Sequence, residues 1–366
     1  ALKEDDFKEQ LIFSLWNFRG KQGLIDNSIY LLKDIDESKF SNDPGSEPGL
    51  TPDQRKILQI QKIKNRDNTP YIDRTGLKAE INTWVFPLHM IDFETTAVAI
   101  PFNRGRRPYE GIAFQFSHHV IYDDGTVEHK GEFINAQQGH FPNYDFIRAL
   151  KAELDSDKGS VFRYATHENT YLNMILTQID RDESIIPDRE ELTEFIKSIT
   201  SLKDEKNSYI RRGERDMIDL LEVVKKYYYH PLMKGSNSIK VVLPAVMESE
   251  FIQHKYSKPI YGGKGLVKSL NFKDQVWVQK ESSGKIISPY KLLPPLFEGI
   301  DPEELDSFLT DESLADGGAA MTAYARMQFT EMTQLERDRI IAGLLRYCEL
   351  DTLAMVMIYE YFRSEI

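Results

Sequence analysis

The chain has 366 residues, of which 41% are hydrophobic and 11% aromatic, enough for one large folded domain or two ordinary ones. Its formal net charge of −12 argues against a protein that coats nucleic acid through overall basicity, although it allows a local basic patch. The single cysteine, Cys348, excludes an internal disulfide and a cysteine-rich metal site. No run approaches the roughly 18 apolar residues that span a bilayer, and the first residues lack the pattern of a signal peptide. We therefore expect a cytoplasmic protein with no membrane partner.

Residues 1–80 are predicted to form a mostly helical N-terminal extension and linker. Ser, Pro, Gly and Asp are concentrated at 38–50, which is the composition of a linker. Thr51 is a suitable N-cap and Pro52 suits a first helical position, so a helix is predicted to begin here.

From residue 84 onward the pattern changes to strands. Three segments are rich in β-forming residues, and an Asp-Gly pair between the second and third predicts a hairpin. These segments are residues 85–95, 111–122 and 126–134. Further on, helices are predicted at 143–154, 168–179, 216–228 and about 333–364, with a strand at 161–167. This order predicts an α/β domain over residues 81–366, with a mixed sheet whose first strand is central.

Two acids interrupt the first predicted strand. Asp92 and Glu94 lie two residues apart, so their side chains share one face of a strand. The surrounding residues are mostly apolar, and an ionised carboxylate in such a buried strand is costly unless it is paired or binds a metal. The pair alone leaves a second interpretation open, in which the strand ends at residue 92 and both acids lie in a solvated loop.

The final helix carries a third acid on an apolar face. At 100° per residue one line contains six apolar or aromatic residues and Asp351. The line is Ile340, Leu344, Tyr347, Asp351, Met355, Ile358 and Phe362. Asp351 either pairs with an arginine or caps a neighbouring element, or it joins the acids of the first strand around a divalent cation.

A fourth acid, Glu168, begins the helix that follows the short strand at 161–167. Acids are common at helix N-termini because of the helix dipole, but the carboxyl end of a strand is also where ligands gather in α/β sheets. Carboxylates without cysteine ligands favour Mg²⁺ or Mn²⁺ over zinc.

Together these residues resemble the DnaQ-like, or DEDD, superfamily of 3′–5′ exonucleases in its tyrosine subtype, which has an RNase H-like fold. Asp92-Phe93-Glu94 matches the family's first motif, and "YCELD" (Tyr347 to Asp351) matches its last. Glu168 stands four residues before a leucine, where the second motif normally has an aspartate.

More narrowly, several stretches are similar to an uncharacterised bacterial family known as a domain of unknown function, which is placed in the same superfamily. The similarity covers about residues 84–364 and includes "AIPFNRGRRPYEGIAFQFSHH", "MIDLLEVVKKYYYHPLMKGSNSIKVVLP", "DGGAAMTAY" and "YCELDTLAMV". In that family the domain often follows a RecB/Cas4-like nuclease region. The resemblance therefore implies such a region as a fused or associated partner, with residues 1–80 as its trailing edge.

The resemblance implies a metal-dependent 3′–5′ exonuclease that hydrolyses terminal phosphodiesters of nucleic acid, with DNA favoured. Asp92, Glu94, Glu168 and Asp351 would hold two divalent cations, Mg²⁺ or Mn²⁺, and Tyr347 would orient the attacking water. Two alternatives stay open: a degenerate RNase H-like module that binds nucleic acid or a protein partner without cleaving, and an RNase H-like endonuclease.

Two basic segments are candidates for substrate binding, with single strands or 3′ ends favoured. Arg104, Arg106 and Arg107 follow the first motif, and Tyr109 could stack on a base. The second segment is an insertion at about 255–300, where residues 255–291 contain eight lysines against two acids. Its aromatic residues either stack on bases or pack inward; they are Tyr256, Tyr261, Phe272, Trp277 and Tyr290.

Three histidines and the cysteine favour structural roles. His118 and His119 are neighbours in a predicted strand, so they must face opposite sides and cannot form a paired site. His167 is interpreted as a hydrogen-bonded core histidine, and Cys348 as a packed thiol.

Overall fold

The computed structural model describes residues 4–261, 266–293 and 318–366. These residues divide into two compact units. The first takes the residues up to Thr83 together with Leu220–Ser249 and Ile358–Ile366. The second takes Trp84–Asp219 and the described part of Glu250–Met357. Residues 220–249 and 358–366, which are expected in the domain at 81–366, group instead with the N-terminal residues.

The described residues contain nine β-strands. They are β1 Tyr71–Ile72, β2 Leu88–Thr96, β3 Ile112–Ile121, β4 Val127–Ile134, β5 Val161–Arg163, β6 Ser201–Lys203, β7 Tyr209–Arg212, β8 Ile218–Asp219 and β9 Tyr228–Tyr229.

The same residues contain eleven α-helices. They are α1 Lys21–Asp26, α2 Pro52–Lys64, α3 Arg74–Ile81, α4 Asn143–Leu154, α5 His167–Arg181, α6 Arg189–Ile199, α7 Leu220–Tyr227, α8 Ile239–Val246, α9 Glu250–Tyr256, α10 Gly318–Phe329 and α11 Gln334–Ser364. Short 3₁₀ helices lie at Glu4–Lys8, Ile12–Ser14, Leu32–Asp34, Glu37–Lys39, Pro231–Met233 and Pro289–Leu292. In the described part of the chain, no helix has both the length and the apolar character needed to cross a membrane.

The first unit is organised around α2. This helix begins as predicted, with Pro52 at its first position and a capping box in which Thr51 and Gln54 satisfy each other's backbone N–H groups. Its buried Arg55 donates hydrogen bonds to the carbonyl oxygen of Tyr228 at 2.6 Å and to Oδ1 of Asn237 at 2.5 Å. The guanidinium thereby satisfies backbone and amide acceptors within this unit.

The second unit is built on a five-stranded mixed sheet with the order β4-β3-β2-β5-β8. β3 runs antiparallel to both β2 and β4, whereas β5 is parallel to β2 and to β8. The predicted α/β class and the central position of the first strand of this unit's main sheet are therefore confirmed.

Helices flank this sheet, and separate apolar clusters lie against its strands. One cluster combines Ile91, Phe93 and Phe116 of the sheet with apolar residues of α4, α5 and α6. The other combines Ile112 and Phe114 with residues of α10 and α11. The sheet is thus covered by helices, which explains why β2 is buried along almost all of its length.

Most predicted elements of the second unit are present. The hairpin between β3 and β4 turns at Gly125, whose φ of +81° suits glycine, and the backbone N–H of Tyr122 donates to the carbonyl of Thr126 at 2.9 Å. The helix predicted at 143–154 has those bounds, and the final helix begins within one residue of its predicted start.

Two predicted elements are wrong in extent. The strand predicted to run to residue 167 ends at Arg163, since Ala165 has a φ of +75° and cannot continue an extended chain. The helix predicted over 216–228 begins only at Leu220, because Ile218 instead pairs with Phe162 in the sheet. Strand pairing here overrides the helical spacing of the sequence.

In the final helix, α11, residues outside the predicted apolar line are buried as well as those on it. All seven residues of that line are buried, as predicted, but so are residues on the other sides of the helix, including Leu350, Leu353 and Val356. From Tyr347 to Tyr359 the helix is buried on every side, so a polar side chain in this stretch needs a structural or functional explanation.

Candidate active site

Asp92 and Glu94 lie where the central strand extends past its parallel neighbour. Met90 of β2 pairs with Phe162 of β5, and β5 ends one residue later at Arg163. The two acids therefore lie on the part of β2 beyond this end, inside the strand rather than in a loop. A bulge in the pairing with β3 follows Glu94 directly, and bulges often aim side chains at functional sites. The solvated-loop interpretation is wrong.

The final helix α11 brings a third carboxylate to this position. The thiol of Cys348 lies 3.5 Å from Oδ2 of Asp92, which places this turn of α11 against β2. Asp351, one turn after Tyr347, is buried, and its charge acts on Asp92. Its carboxylate accepts a hydrogen bond from the hydroxyl of Tyr290.

Glu168 completes the cluster from the first turn of α5. It is only 1% exposed, and among the described residues its Oε2 has no hydrogen-bond partner. Burial raises the pKa of this carboxyl group to about 8, with smaller increases from Asp219 and Asp351, while the charge of Arg163 opposes the shift. A buried acceptor without a donor is costly, so the site is suited to a ligand that supplies positive charge.

The pKa of Asp92 shows that the other three acids lie close to it. Its pKa is raised well above the usual range, first by burial and then by the charges of Asp351, Glu168 and Glu94. Like charges so close together are unfavourable without a counter-charge. Carboxylates from β2, α5 and α11 thus lie near enough to act on one another, and carboxylate oxygens are the ligands that hard divalent cations such as Mg²⁺ or Mn²⁺ prefer.

Cys348 lies beside the acids of this site but is not suited to act as a nucleophile or a metal ligand. One ligand atom each of Asp92, Glu94 and Cys348 lie within 4.8 Å of one another. Burial and the neighbouring acids raise the pKa of the Cys348 thiol well above its usual value, which keeps it protonated. A protonated thiol is a poor nucleophile and a poor metal ligand, in agreement with a packed side chain.

Two residues at this site were missed by the sequence analysis. Asp219 of β8 forms an ion pair with Arg163 at 2.8 Å and accepts a hydrogen bond from the backbone N–H of Ala165 at 3.0 Å. The ion pair and the hydrogen bond together fix the turn that precedes Glu168. The spacing of the sequence around Asp219 predicts a helix, so the position of Asp219 at the end of β8 could not be predicted.

Tyr290 is the second missed residue. Its hydroxyl group contacts Asp351, and its ring centroid lies 6.0 Å from that of Tyr347. In the sequence, Tyr290 is one of five interleaved aromatic residues of the insertion, and no local pattern indicates its contact with Asp351.

His167 lies beside the acids at the first position of α5. Its Nε2 lies 2.9 Å from Oγ1 of Thr95, and its ring packs against Tyr171 at a centroid distance of 4.6 Å. The residue is hydrogen-bonded, as predicted, but it is half-buried rather than part of the core.

The predicted substrate-binding residues differ in their surroundings. Arg106 forms ion pairs with Glu110 and Asp182, at 3.4 and 3.3 Å, and its guanidinium lies 3.5 Å from the ring centroid of Phe141. These contacts already engage its charge. Arg104 and Arg107 are exposed.

Tyr109 is an exposed aromatic residue of this loop. Its side chain is 71% exposed, and its φ of +59° is uncommon for a residue other than glycine. The loop thus presents an aromatic ring to solvent in a strained backbone conformation.

The aromatic residues of the lysine-rich insertion pack inward. All five are buried, Trp277 completely, so the base-stacking interpretation of these side chains is wrong. Most of the described lysines remain exposed, so this segment keeps a basic surface. Residues 262–265 and 294–300 of the predicted insertion lie outside the described residues, as do Asp316 and Gly317 of the stretch "DGGAAMTAY".

The fold and geometry thus define an α/β chain in which two acids of the central strand, Asp92 and Glu94, are joined by Glu168 of α5 and Asp351 of α11. A family model described as a domain of unknown function, DUF2779, matches residues 89–238. This range contains Asp92, Glu94 and Glu168 but not the final helix. No curated protein and no solved structure matches the chain significantly.

Proposed function

We propose that this chain is a metal-dependent 3′–5′ exonuclease of the DnaQ-like type, with an RNase H-like fold. The sheet supports the fold assignment, because its first strand is central, its second strand is antiparallel, and parallel strands continue on the other side. The observation that carries the functional proposal is the convergence of Asp92, Glu94, Glu168 and Asp351 from three elements distant along the chain.

Two divalent cations, Mg²⁺ or Mn²⁺, would be held by these four carboxylates and would supply charge stabilisation for phosphodiester hydrolysis. The unpartnered Oε2 of Glu168 and the mutual repulsion around Asp92 both support this assignment. Glutamate in place of the usual aspartate keeps the carboxylate and extends its reach by one methylene group.

The remaining residues of the cluster position the reactants. Tyr347 lies one helical turn before Asp351, so its hydroxyl group would orient the attacking water by a hydrogen bond. Tyr290 donates to Asp351 and so fixes the orientation of that carboxylate. The ion pair between Arg163 and Asp219 fixes the turn that precedes Glu168.

For substrate binding we propose the exposed loop after β2. Arg104 and Arg107 would contact phosphates of the strand, and Tyr109 would stack on a terminal or unpaired base. The exposed lysines of the insertion extend this basic surface. Single-stranded DNA or DNA with accessible 3′ ends is the substrate that we favour.

The test is hydrolysis of labelled single- and double-stranded DNA and RNA, with Mn²⁺, with Mg²⁺ and with EDTA. The matched variants are Asp351→Asn and Asp338→Asn, which remove one charge each from α11, the second at an exposed position. We expect mononucleotides released from 3′ ends by the unaltered chain and by Asp338→Asn, and no activity from Asp351→Asn or with EDTA.

Two outcomes would identify the alternatives. Opening of a circular single-stranded DNA would identify an endonuclease, because an exonuclease needs a free end. Nucleic-acid binding that is equal in Asp351→Asn and in the unaltered chain, without cleavage and without stabilisation by Mn²⁺, would identify a degenerate binding module.

A further inference from the structure

A second cluster of potential ligands lies two strands away from the four acids. It consists of His129 and Glu132 on β4 and Glu349 on α11, one ligand atom of each lying within 4.8 Å of the others. Asp92 pairs with Ser117 across β2 and β3, and Ser117 pairs with Glu132 across β3 and β4. With about 4.8 Å between neighbouring strands, the two clusters are roughly 10 Å apart.

A bulge in β4 brings the first two members of the cluster together. Residues three apart on a regular strand face opposite sides, so His129 and Glu132 would ordinarily be separated by the sheet. Here Glu132 pairs with Ser117 and His129 pairs with His119, with a shift in register between the two pairs. Because Ser117 and His119 share one face of β3, their partners on β4 share it too.

The imidazole of His129 is oriented as a metal ligand would be. Its Nε2 lies 3.0 Å from Oγ of Ser117, which fixes the ring. Its Nδ1 lies 3.1 Å from Oε2 of Glu349, but no hydrogen-bond geometry is met there, and no other described atom partners it. Ligand atoms about 2.1 Å from a tetrahedral metal are roughly 3.4 Å apart, which is close to this separation.

The two carboxylates of the cluster are held by neutral donors. Glu349 is completely buried and accepts hydrogen bonds from Ser269 and, at 2.9 Å, from Nδ2 of Asn271, which also donates to Glu132 at 2.6 Å. Within the described ranges, neither acid forms an ion pair with a lysine or arginine. Buried carboxylates are costly without a positive charge beside them, and the one recorded here among the described residues is the imidazole of His129, which is charged only when protonated.

We propose that His129, Glu132 and Glu349 bind one divalent transition-metal ion, of which Zn²⁺ is the representative, at a site distinct from the four-acid cluster. An imidazole ligand beside two carboxylates favours zinc-like ions over Mg²⁺ and Ca²⁺. The ion would tie β4 to α11. Glu349 is two residues from both Tyr347 and Asp351, so the bond would hold this helix in place over the sheet. The proposal does not depend on nuclease activity.

The test is the amount of Zn²⁺ retained after dialysis, measured by elemental analysis together with the melting temperature. His129→Gln keeps a polar atom near Ser117 but removes the Nδ1 ligand, and Asp92→Asn/Asp351→Asn disables only the four-acid cluster. We expect about one Zn²⁺ per chain and a raised melting temperature for the unaltered chain and the double variant. For His129→Gln we expect at least a tenfold weaker affinity and no zinc-dependent rise.

Equal zinc retention by His129→Gln, or loss of all zinc from the double variant, would overturn the proposal. If His129→Gln does not fold, the unaltered chain decides by anomalous diffraction at the zinc edge. A peak bonded to Nδ1 of His129 supports the site, and a zinc-soaked crystal without that peak refutes it.

Discussion

The hydroxyl group of Tyr290 donates a hydrogen bond to Oδ1 of Asp351, which lies 61 residues further along the chain. Asp351 also acts electrostatically on Asp92, so the contact connects the segment around Pro289–Leu292 to the four-acid cluster. The proposed cation ligand is therefore oriented by a residue outside the motifs that identified the site.

Tyr290→Phe should retain the fold and weaken the use of metal. The ring stays in place, but a hydrogen bond to a charged group is lost, which costs about 1.5–3 kcal/mol. We expect the Mn²⁺ concentration for half-maximal activity to rise about tenfold, as measured by titration of the exonuclease reaction. Tyr261→Phe, which alters another buried tyrosine of this segment, is the control. An unchanged Mn²⁺ dependence of Tyr290→Phe would show that the contact does not position Asp351.

Asp92→Asn should stabilise the metal-free chain while it abolishes catalysis. The substitution removes a charge that three neighbouring acids oppose, so the free energy of unfolding in EDTA should rise by about 1 kcal/mol or more. Hydrolysis should fall by about 10²–10³-fold or more. Asp123→Asn, at an exposed turn, makes the same change in net charge and should alter neither quantity. Destabilisation of Asp92→Asn in EDTA would contradict the repulsion that we infer.

The stability of the metal-free chain should decrease as the pH rises from about 7 to 8. Glu168 has a pKa of about 8 in the folded chain, against a usual 4.5, and the pKa of Asp92 is also raised. Buried histidines with lowered pKa values, such as His89 and His230, oppose this effect only below their usual pKa of 6.5. Above that value the folded state binds more protons than the unfolded state, so the free energy of unfolding falls with pH. Saturating Mn²⁺ should remove this decrease, because a bound cation keeps the acids ionised. Melting temperatures across the range, in EDTA and in Mn²⁺, measure the effect. Equal slopes in both conditions would contradict the account.

Arg106 and Arg107 should respond differently to replacement by alanine. Arg106 makes two ion pairs and packs over Phe141, so Arg106→Ala should lower the free energy of unfolding by about 1–2 kcal/mol. Arg107→Ala should leave stability unchanged and weaken binding of single-stranded DNA, with a salt dependence reduced by about one phosphate contact. Denaturant unfolding and binding at several salt concentrations separate the two. The opposite pattern would assign substrate contact to Arg106.

Local sequence patterns predicted much of the second unit. Alternation and hydrophobicity located β2, β3 and β4, and the Asp-Gly pair located the turn between them, because these features depend on neighbouring residues. The extent of β5 and β8 could not be predicted, since it depends on pairing between residues such as Phe162 and Ile218 that are distant along the chain.

The sequence identified the four acids of the candidate site but not the residues that hold them in place. Asp92, Glu94 and Asp351 stand out because a carboxylate in an apolar strand or helix is unusual in any sequence. Glu168 was singled out by its position after a strand end, where ligands gather in α/β sheets. Tyr290 and Asp219 do not stand out, since a tyrosine in a loop and an acid in a helix-like stretch are ordinary. Likewise, His129 and Glu132 meet only because of a bulge that no local pattern indicates.

The central claim is that the four carboxylates hold divalent cations. Anomalous diffraction from a crystal soaked in Mn²⁺ tests it most directly. We predict manganese peaks bonded to oxygens of Asp92, Glu94, Glu168 and Asp351, which disappear in Asp351→Asn crystals. A fully soaked crystal with no manganese among these oxygens would contradict the account.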